Sequence, residues 1–400
     1  MNRFDKMLKY NMCMGCGLCE SLGKDRGYKL SLKKNGFYSV DVPNDSMRDI
    51  LLESKIASCC PSITISGVGD SNIWGRHLGI YNAYSTDVTI RHRASSGGFV
   101  SACCIFLLEQ GFVDGVLHVG LSDDSSIENK LKISTTKDEI VNNCSSRYAP
   151  ALVFSDIKQI LDKDNRTYAF VGKSCDILCL HNFVTEYPEY KKRIYCTICI
   201  FCAGMPSYNA SKRAAESFKT SKEITRFQYR GNGWPGSFTV SYSDGSCNKK
   251  PYIDAWMNYF GKDIHYRCKV CPDSVGTIAD IAVCDSWIFE DGKIKFDDRP
   301  GESCVLLRSG KSTKIFNSME KHACIEATAI NDSVLNNIQP NHVRKRLSSG
   351  YKLVFINLLT NNLFALRNLS VFKLCSQYNI LRGIKEAIGA KQRLNKWTKK

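Results

Sequence analysis

Cys13-Met14-Gly15-Cys16-Gly17-Leu18-Cys19 sets three thiols at C-x-x-C-x-x-C spacing, with a glycine on either side of the middle one. Thiolates that converge on one small inorganic object need a backbone that curls around it, and glycine supplies the unusual dihedrals of such a curl. The stretch reads as the wall of an iron–sulfur cluster. Zinc accepts the same thiolates, but zinc modules usually present paired C-x-x-C knuckles rather than a triple.

A ferredoxin run continues with a fourth cysteine after three more residues, followed by proline. Here Gly23 stands in that place, and no cysteine occurs from 20 to 58. Cys60-Pro61 has the right local form, because in two-cluster ferredoxins the Cys-Pro cysteine of one motif ligates the other cluster. The expected ligands of one [4Fe-4S] cluster are therefore Cys13, Cys16, Cys19 and Cys60, with Cys59 as the competing choice. A small ferredoxin-like module over residues 1–75 follows, closed by the turn-forming run Ser66-Gly67-Val68-Gly69-Asp70-Ser71.

The chain has 400 residues with 43% hydrophobic content, enough for a large core and for two or three units. Its twenty cysteines come without an apolar leader, since the chain opens Met-Asn-Arg-Phe-Asp-Lys. Reduced thiols in a cytoplasm are the expectation, and no apolar run reaches the length of a membrane span. The net charge of +16 is concentrated at one end: residues 343–400 hold thirteen Lys or Arg against one acid, Glu386, a local net of +12 that leaves +4 for the rest.

Ser95-Ser96-Gly97-Gly98 leads into Phe99, Cys103, Cys104, Leu107 and Leu108 at helical spacing, ending before Gly111. A helix N-terminus entered through such a turn favours an anion, and Arg91 and Arg93 add charge, while a plain capped helix explains the same residues. Gly172-Lys173-Ser174 follows an apparent strand at 168–171 but lacks the earlier glycine of a phosphate loop, Thr167 standing there. Cys175, at the exit of that strand, is a candidate metal ligand instead. Cys196-Thr-Ile-Cys199-Ile-Phe-Cys202 repeats the triple spacing inside a β-branched run. A regular strand turns Cys196 and Cys199 to opposite faces, so only Cys202, beside Gly204, is placed to bind metal. Cys268-Lys-Val-Cys271 is a second metal signal, which lacks the nearby partner pair of a zinc ribbon.

At these residues the sequence resembles the β-subunit family of coenzyme F420-reducing hydrogenases and dehydrogenases. The likeness runs, in order, through the N-terminal cysteine motif, Ala94 to Gly98, Val171 to Cys175, Phe201 to Gly204, Gly233-Trp234, Cys268-x-x-Cys271 and Asp280 to Trp287. The resemblance implies FAD, a second [4Fe-4S] cluster held by Cys175, Cys202, Cys268 and Cys271, and electron transfer between the clusters and a two-electron organic carrier. It makes Ser95, Ser96, Gly97 and Gly98 the candidate flavin phosphate contact and sets Asp285 and Trp287 in the flavin pocket. Two departures stand out: the family commonly has Gly-x-Pro-Cys where this chain has Gly-Lys-Ser-Cys, and glycine where Cys284 precedes Asp285.

The expectation is an α/β (α+β) protein: a ferredoxin-like module at 1–75, a larger flavin and iron–sulfur domain at 76–335 and a basic, partly helical tail at 336–400. Its function would be that of a cytoplasmic oxidoreductase served by a redox partner protein or ferredoxin and a small organic carrier; some relatives are tied to polysaccharide synthesis. A radical enzyme is disfavoured, because Cys175-x-x-x-Cys179 lacks the next cysteine. The alternative is a non-catalytic zinc–thiolate scaffold. For the tail, one reading has its apolar side chains packed on the flavin domain, and the other has it dock on an anionic surface, the inner face of a membrane. No nucleic-acid motif accompanies the charge.

Overall fold

The structure, a computed structural model, describes all residues apart from 70, 71, 124, 126, 370 and 400, and all their side chains apart from those of Val371 and Phe372. A nine-stranded sheet forms the frame. Its order is Ile325–Ile330, Gly79–Ser85, Ser303–Leu307, Ile281–Asp285, Ile194–Ile200, Tyr168–Lys173, Gly115–Leu121, Asn129–Ser134 and Ala151–Leu152. The four strands from Ile281–Asp285 to Gly115–Leu121 run parallel to one another. Antiparallel neighbours extend the sheet on both sides of this run.

Parallel strands covered on both faces read as near-continuous apolar runs, and Ile194–Ile200 is one. Cys196 packs into the core on one face with Phe106 and Val116, and Cys199 into the core on the other with Phe170 and Phe183. Both thiols are fully buried, so the strand geometry keeps them apart as its alternation requires. The helix Phe99–Glu109 covers the first face. Ile157–Lys163 and Ser174–Glu186 cover the second through Ile157, Leu161, Ile177, Leu180 and Phe183. A separate antiparallel sheet, Ile224–Gln228, Ser237–Tyr242 and Cys247–Pro251, has its own aromatic core of Phe227, Tyr229, Phe238 and Phe260.

The N-terminal residues make three helices, Arg3–Lys9, Leu18–Gly23 and Ile50–Cys59, and a hairpin of Lys29–Leu32 with Tyr38–Asp41. Their core is completed from the far end of the chain. Phe4, Met7, Tyr28 and Ile56 share one apolar cluster with Leu353, Ile356, Phe364, Leu394 and Trp397. The tail is thus partly helical, with Pro340–Leu359 and Ile380–Trp397, and its apolar side chains pack on the larger domain, through Met205, Ile264, Tyr266 and Val270, as well as on the N-terminal module. Ala365–Arg367 adds a parallel strand to Thr64–Ser66, and the Trp397 indole donates to the Asn11 carbonyl at 2.7 Å. The turn-forming run at 66–71 is held by the same segment: the Gly67 and Gly69 amides donate to Arg367 and Asn368 carbonyls, each at 3.0 Å. Its last two residues, Asp70 and Ser71, lie outside the described residues. Among the described residues no helix is long and apolar enough to cross a membrane.

Candidate functional site

Open parallel sheets bind ligands beyond the carboxyl ends of their strands, and three neighbouring strands deliver chemistry there. Tyr168–Lys173 is followed by Ser174 and Cys175, Ile194–Ile200 by Cys202, and Ile281–Asp285 ends on Asp285. Cys175 and Cys202 meet Cys268 and Cys271 around one small cavity. Its wall also includes Met14 and Pro61 of the N-terminal module, and Arg267 and Lys345. Four thiols from three distant parts of the sequence therefore face one volume. Among the described residues no three of His, Cys, Asp or Glu close on a point where a single metal ion would sit.

The backbone around this cavity is tightly held. The Met205 amide donates to the Cys268 sulfur at 3.4 Å, and the Cys271 thiol donates to the Asp273 carbonyl at 3.1 Å. Gly204 sits at φ +151, where a Cβ would fall 2.5 Å from Ile264, so the turn after Cys202 has room for glycine alone. Burial pushes the Cys175 and Cys268 thiols up and Cys202 to about 11. Cations offset that cost. Lys345 donates to the Cys202 and Ala203 carbonyls at 3.3 Å, and Arg267 donates to the Pro61 carbonyl at 2.8 Å. Burial works against the Lys173 ammonium, but Asp176 and Cys175 outweigh it and hold the lysine above its ordinary range.

The N-terminal thiols form a second group. Burial raises Cys19, and the neighbouring Cys13, Cys60 and Cys16 raise it further; Cys60 responds in the same way to burial, Cys16 and Cys13. Cys60 lies in the apolar cluster that holds Cys19 and touches Cys13. Cys59 points elsewhere, its sulfur 3.9 Å from the Asn182 carbonyl. Gly17, at φ +96, is wedged so closely that a Cβ would stand 2.5 Å from the Ser155 nitrogen, and the Phe154 amide donates to the Cys16 carbonyl at 2.7 Å. The cysteine loop is thereby fastened to the larger domain. Cys13 also borders a separate opening lined by Lys33, Lys34, Phe37, His265 and Trp397.

One thiol of this group was not marked by spacing. Cys179, one helical turn beyond Cys175 on Ser174–Glu186, stands beside Cys16, and this neighbour holds Cys16 below the ordinary thiol range. The helix thus turns one cysteine to each thiol group. An i, i+4 pair was visible in the sequence, but nothing local says that its two members serve different neighbours.

The flavin candidates divide. Ser95 accepts from the Ser146 amide at 2.6 Å, Ser96 donates to the Glu302 carbonyl at 2.8 Å, and the Gly97 amide donates to Ser303 at 3.0 Å. A Cβ at Gly97 would fall 2.6 Å from both the Ala83 oxygen and the Ser303 nitrogen. Ser95, Ser96 and Gly97 thus spend these groups on protein partners, and Gly98 caps the helix at φ +79. Asp285 accepts a bidentate pair from the buried Arg230, at 2.7 and 2.8 Å. The Arg230 guanidinium lies over Tyr252 and Trp287, 4.5 and 5.0 Å from their ring centres, and Trp234 packs 5.0 Å from Trp287. Ser145, which donates to the Arg230 carbonyl and is hydrogen-bonded to Ser95, links the turn to this aromatic group. Arg230 and Tyr252 had no signal beyond lying near Gly233-Trp234.

A mixed α/β sheet whose carboxyl edge gathers two thiol groups and an aromatic-walled ion pair defines a cysteine-rich α/β protein with a composite site. Residues 80–158 match the family model for the N-terminal part of the coenzyme F420 hydrogenase/dehydrogenase β subunit, and residues 165–333 match the model for its C terminus. The chain belongs to this family of oxidoreductase subunits. It is 25% identical over 268 residues to the coenzyme F420 hydrogenase subunit β of Methanococcus voltae, covering 65% of this chain and 87% of that one. The corresponding subunit of Methanosarcina barkeri is 24% identical, covering 64% and 84%. The β subunit of an F420-dependent formate dehydrogenase of Methanococcus maripaludis is 25% identical, covering 63% and 62%. The fold is similar to a chain of the F420-reducing [NiFe] hydrogenase complex of Methanosarcina barkeri, with TM-score 0.54, 21% identity and coverage of 74% of this chain and 97% of that one.

Proposed function

We propose that this oxidoreductase is an iron–sulfur flavoprotein that passes electrons between two [4Fe-4S] clusters and an FAD, which exchanges hydride with a small organic carrier. The observation that carries the reading is the cavity shared by Cys175, Cys202, Cys268 and Cys271, with the Cys13, Cys16, Cys19 and Cys60 group beside it. Met14 and Pro61 belong to the loops of the second group yet line the cavity of the first, which keeps the path between them short. Arg267 and Lys345 suit the negative charge of a thiolate-bound cluster, and the buried thiols would give up their protons when it assembles.

A flavin, when bound, supplies the exchange between hydride and single electrons. The flat rings of Trp234, Tyr252 and Trp287 and the Arg230–Asp285 pair support its placement at that end of the sheet. Ser95, Ser96, Gly97 and Gly98 stay in this reading as the phosphate contact, with the Ser95 and Ser96 hydroxyls and the Gly97 amide held in place by protein partners. Coenzyme F420 is the carrier suggested by the names of the relatives, and a substrate of polysaccharide synthesis is the second candidate. A ferredoxin or other redox protein in the cytoplasm would serve the one-electron side.

The test is anaerobic purification with iron, sulfide and flavin analysis and a visible spectrum. About eight iron, eight sulfide and one FAD per chain are expected. Cys16→Ala and Cys175→Ser should each remove about half of the iron, and the pair together nearly all of it. A colourless protein holding zinc, without sulfide or flavin, would establish the thiolate scaffold instead.

A further inference from the structure

We propose that the C-terminal helix Ile380–Trp397 seats the protein on an anionic lipid bilayer through an apolar stripe that the fold leaves open. The proposal stands apart from the redox reading. One side of this helix, including Gly383, Ala387, Ala390 and Leu394, is buried. It packs on Pro340–Leu359 so closely that a Cβ at Gly383 would fall 2.6 Å from the Tyr351 ring. The adjoining side carries Ile380, Leu381, Ile384 and Ile388 at helical spacing, and these are 66, 77, 47 and 48% exposed. Large aliphatic side chains in a contiguous row are not the ordinary surface of a monomer.

Exposed leucines also end the neighbouring helix. Arg344 bonds to Glu386 and Tyr351 lies against Gly383, so the two helices run antiparallel. Leu358 and Leu359, at the end of Pro340–Leu359 nearer to the start of Ile380–Trp397, are 70 and 40% exposed. The stripe lies outside residues 80–158 and 165–333, the parts of the chain that match the family.

Charge identifies the occupant. Arg382, Lys385, Lys391, Arg393 and Lys396 are all exposed on the same helix, while Glu386, the one acid of residues 343–400, is held by Arg344. Protein interfaces are anchored by aromatic and arginine side chains in desolvated pockets, with leucine under-represented. An Ile and Leu row beside a cationic face is the composition of a helix that lies in the interface of an anionic bilayer. The helix is not apolar enough to cross one.

The experiment is co-sedimentation of the full chain with vesicles of phosphatidylcholine alone and of phosphatidylcholine with phosphatidylglycerol, at low and high salt. A Leu381→Ser, Ile384→Ser, Ile388→Ser variant changes exposed positions only, and an unchanged melting midpoint shows that it folds. Wild type should pellet with the anionic vesicles and roughly tenfold less in high salt, and the variant at least about tenfold less at low salt. Equal pelleting by wild type and variant, or pelleting with neither vesicle, overturns the proposal. So does a wild-type dimer that the substitutions make monomeric without any vesicle binding, which would assign the stripe to a second copy.

Discussion

At the scale of single residues, the Arg230 guanidinium shows how much this fold commits to one ion pair. The arginine side chain is 2% exposed and has Asp285 as its only carboxylate partner among the described residues. Removing one partner of a buried pair strands the other in low dielectric, which costs about 3–5 kcal/mol. Asp285→Ala should therefore lower the denaturation midpoint by a corresponding amount, while Asp285→Asn, which keeps acceptor geometry at one oxygen, loses less. A loss below about 1 kcal/mol for the alanine variant would show that the pair is solvated. His118 gives a second prediction. Burial, helped by Arg147, holds its imidazole down to about 4, and its ring lies 2.7 Å from the Ser134 hydroxyl. The unfolded chain takes up a proton near pH 6.5 and the native state does not. Stability from this residue is complete above pH 6.5 and drains away as pH falls toward 4, costing about 2 kcal/mol by pH 5. His118→Gln should flatten the decline of the urea midpoint between pH 7 and 5 by that share; an unaltered slope would contradict the assignment.

At the scale of elements, the helix Ser174–Glu186 joins the two thiol groups. Its successive turns carry Cys175 to the cavity with Cys202 and Cys179 to the side of Cys16, while Leu178 packs with the N-terminal core and Cys179 with that of the larger domain. A thiol that donates to a ligand sulfur raises the reduction potential of the cluster behind it. Cys179→Val should therefore leave the iron content unchanged and move one of two potentials, read by redox titration, to a more negative value. Loss of half the iron would make Cys179 a ligand, and two unchanged potentials would confine it to packing.

At the scale of the whole molecule, the segments at the two ends of the chain, both outside the matched family regions, build one body. Trp397 is nearly buried, stands 5.6 Å from Phe37 and 4.8 Å from His265 and borders the opening at Cys13. Trp397→Ala should cost about 3–5 kcal/mol, as truncation of a buried aromatic does. A chain ending at Gln339 keeps all eight proposed ligands, yet it loses Leu353, Ile356, Leu394 and the strand beside Thr64–Ser66. It should yield less soluble protein and bind markedly less iron at the N-terminal group. Full iron content in the shortened chain would show that the N-terminal module folds without the tail.

The sequence by itself determined what is local. Ligand spacing and glycine placement marked the Cys13 to Cys19 loop, strand alternation separated Cys196 from Cys199, and helical periodicity marked Phe99–Glu109, because each of these depends on neighbours a few residues away. The tertiary structure decided what depends on distant partners. Cys175 and Cys202 meet because adjacent parallel strands end side by side, and the segment before Ile281–Asp285 brings Cys268 and Cys271 to them, its Ser274 carbonyl accepting from the Cys202 amide; strand order is not written in any one strand. The partners of Ser95, Ser96 and Gly97, which are Ser146, Glu302 and Ser303, come from distant segments that the run itself does not name. The tail's periodicity announced a buried face without saying what would cover it. That the N-terminal module is part of that cover, paired through Thr64–Ser66 and Ala365–Arg367 across most of the chain's length, is a long-range contact that composition and spacing do not encode.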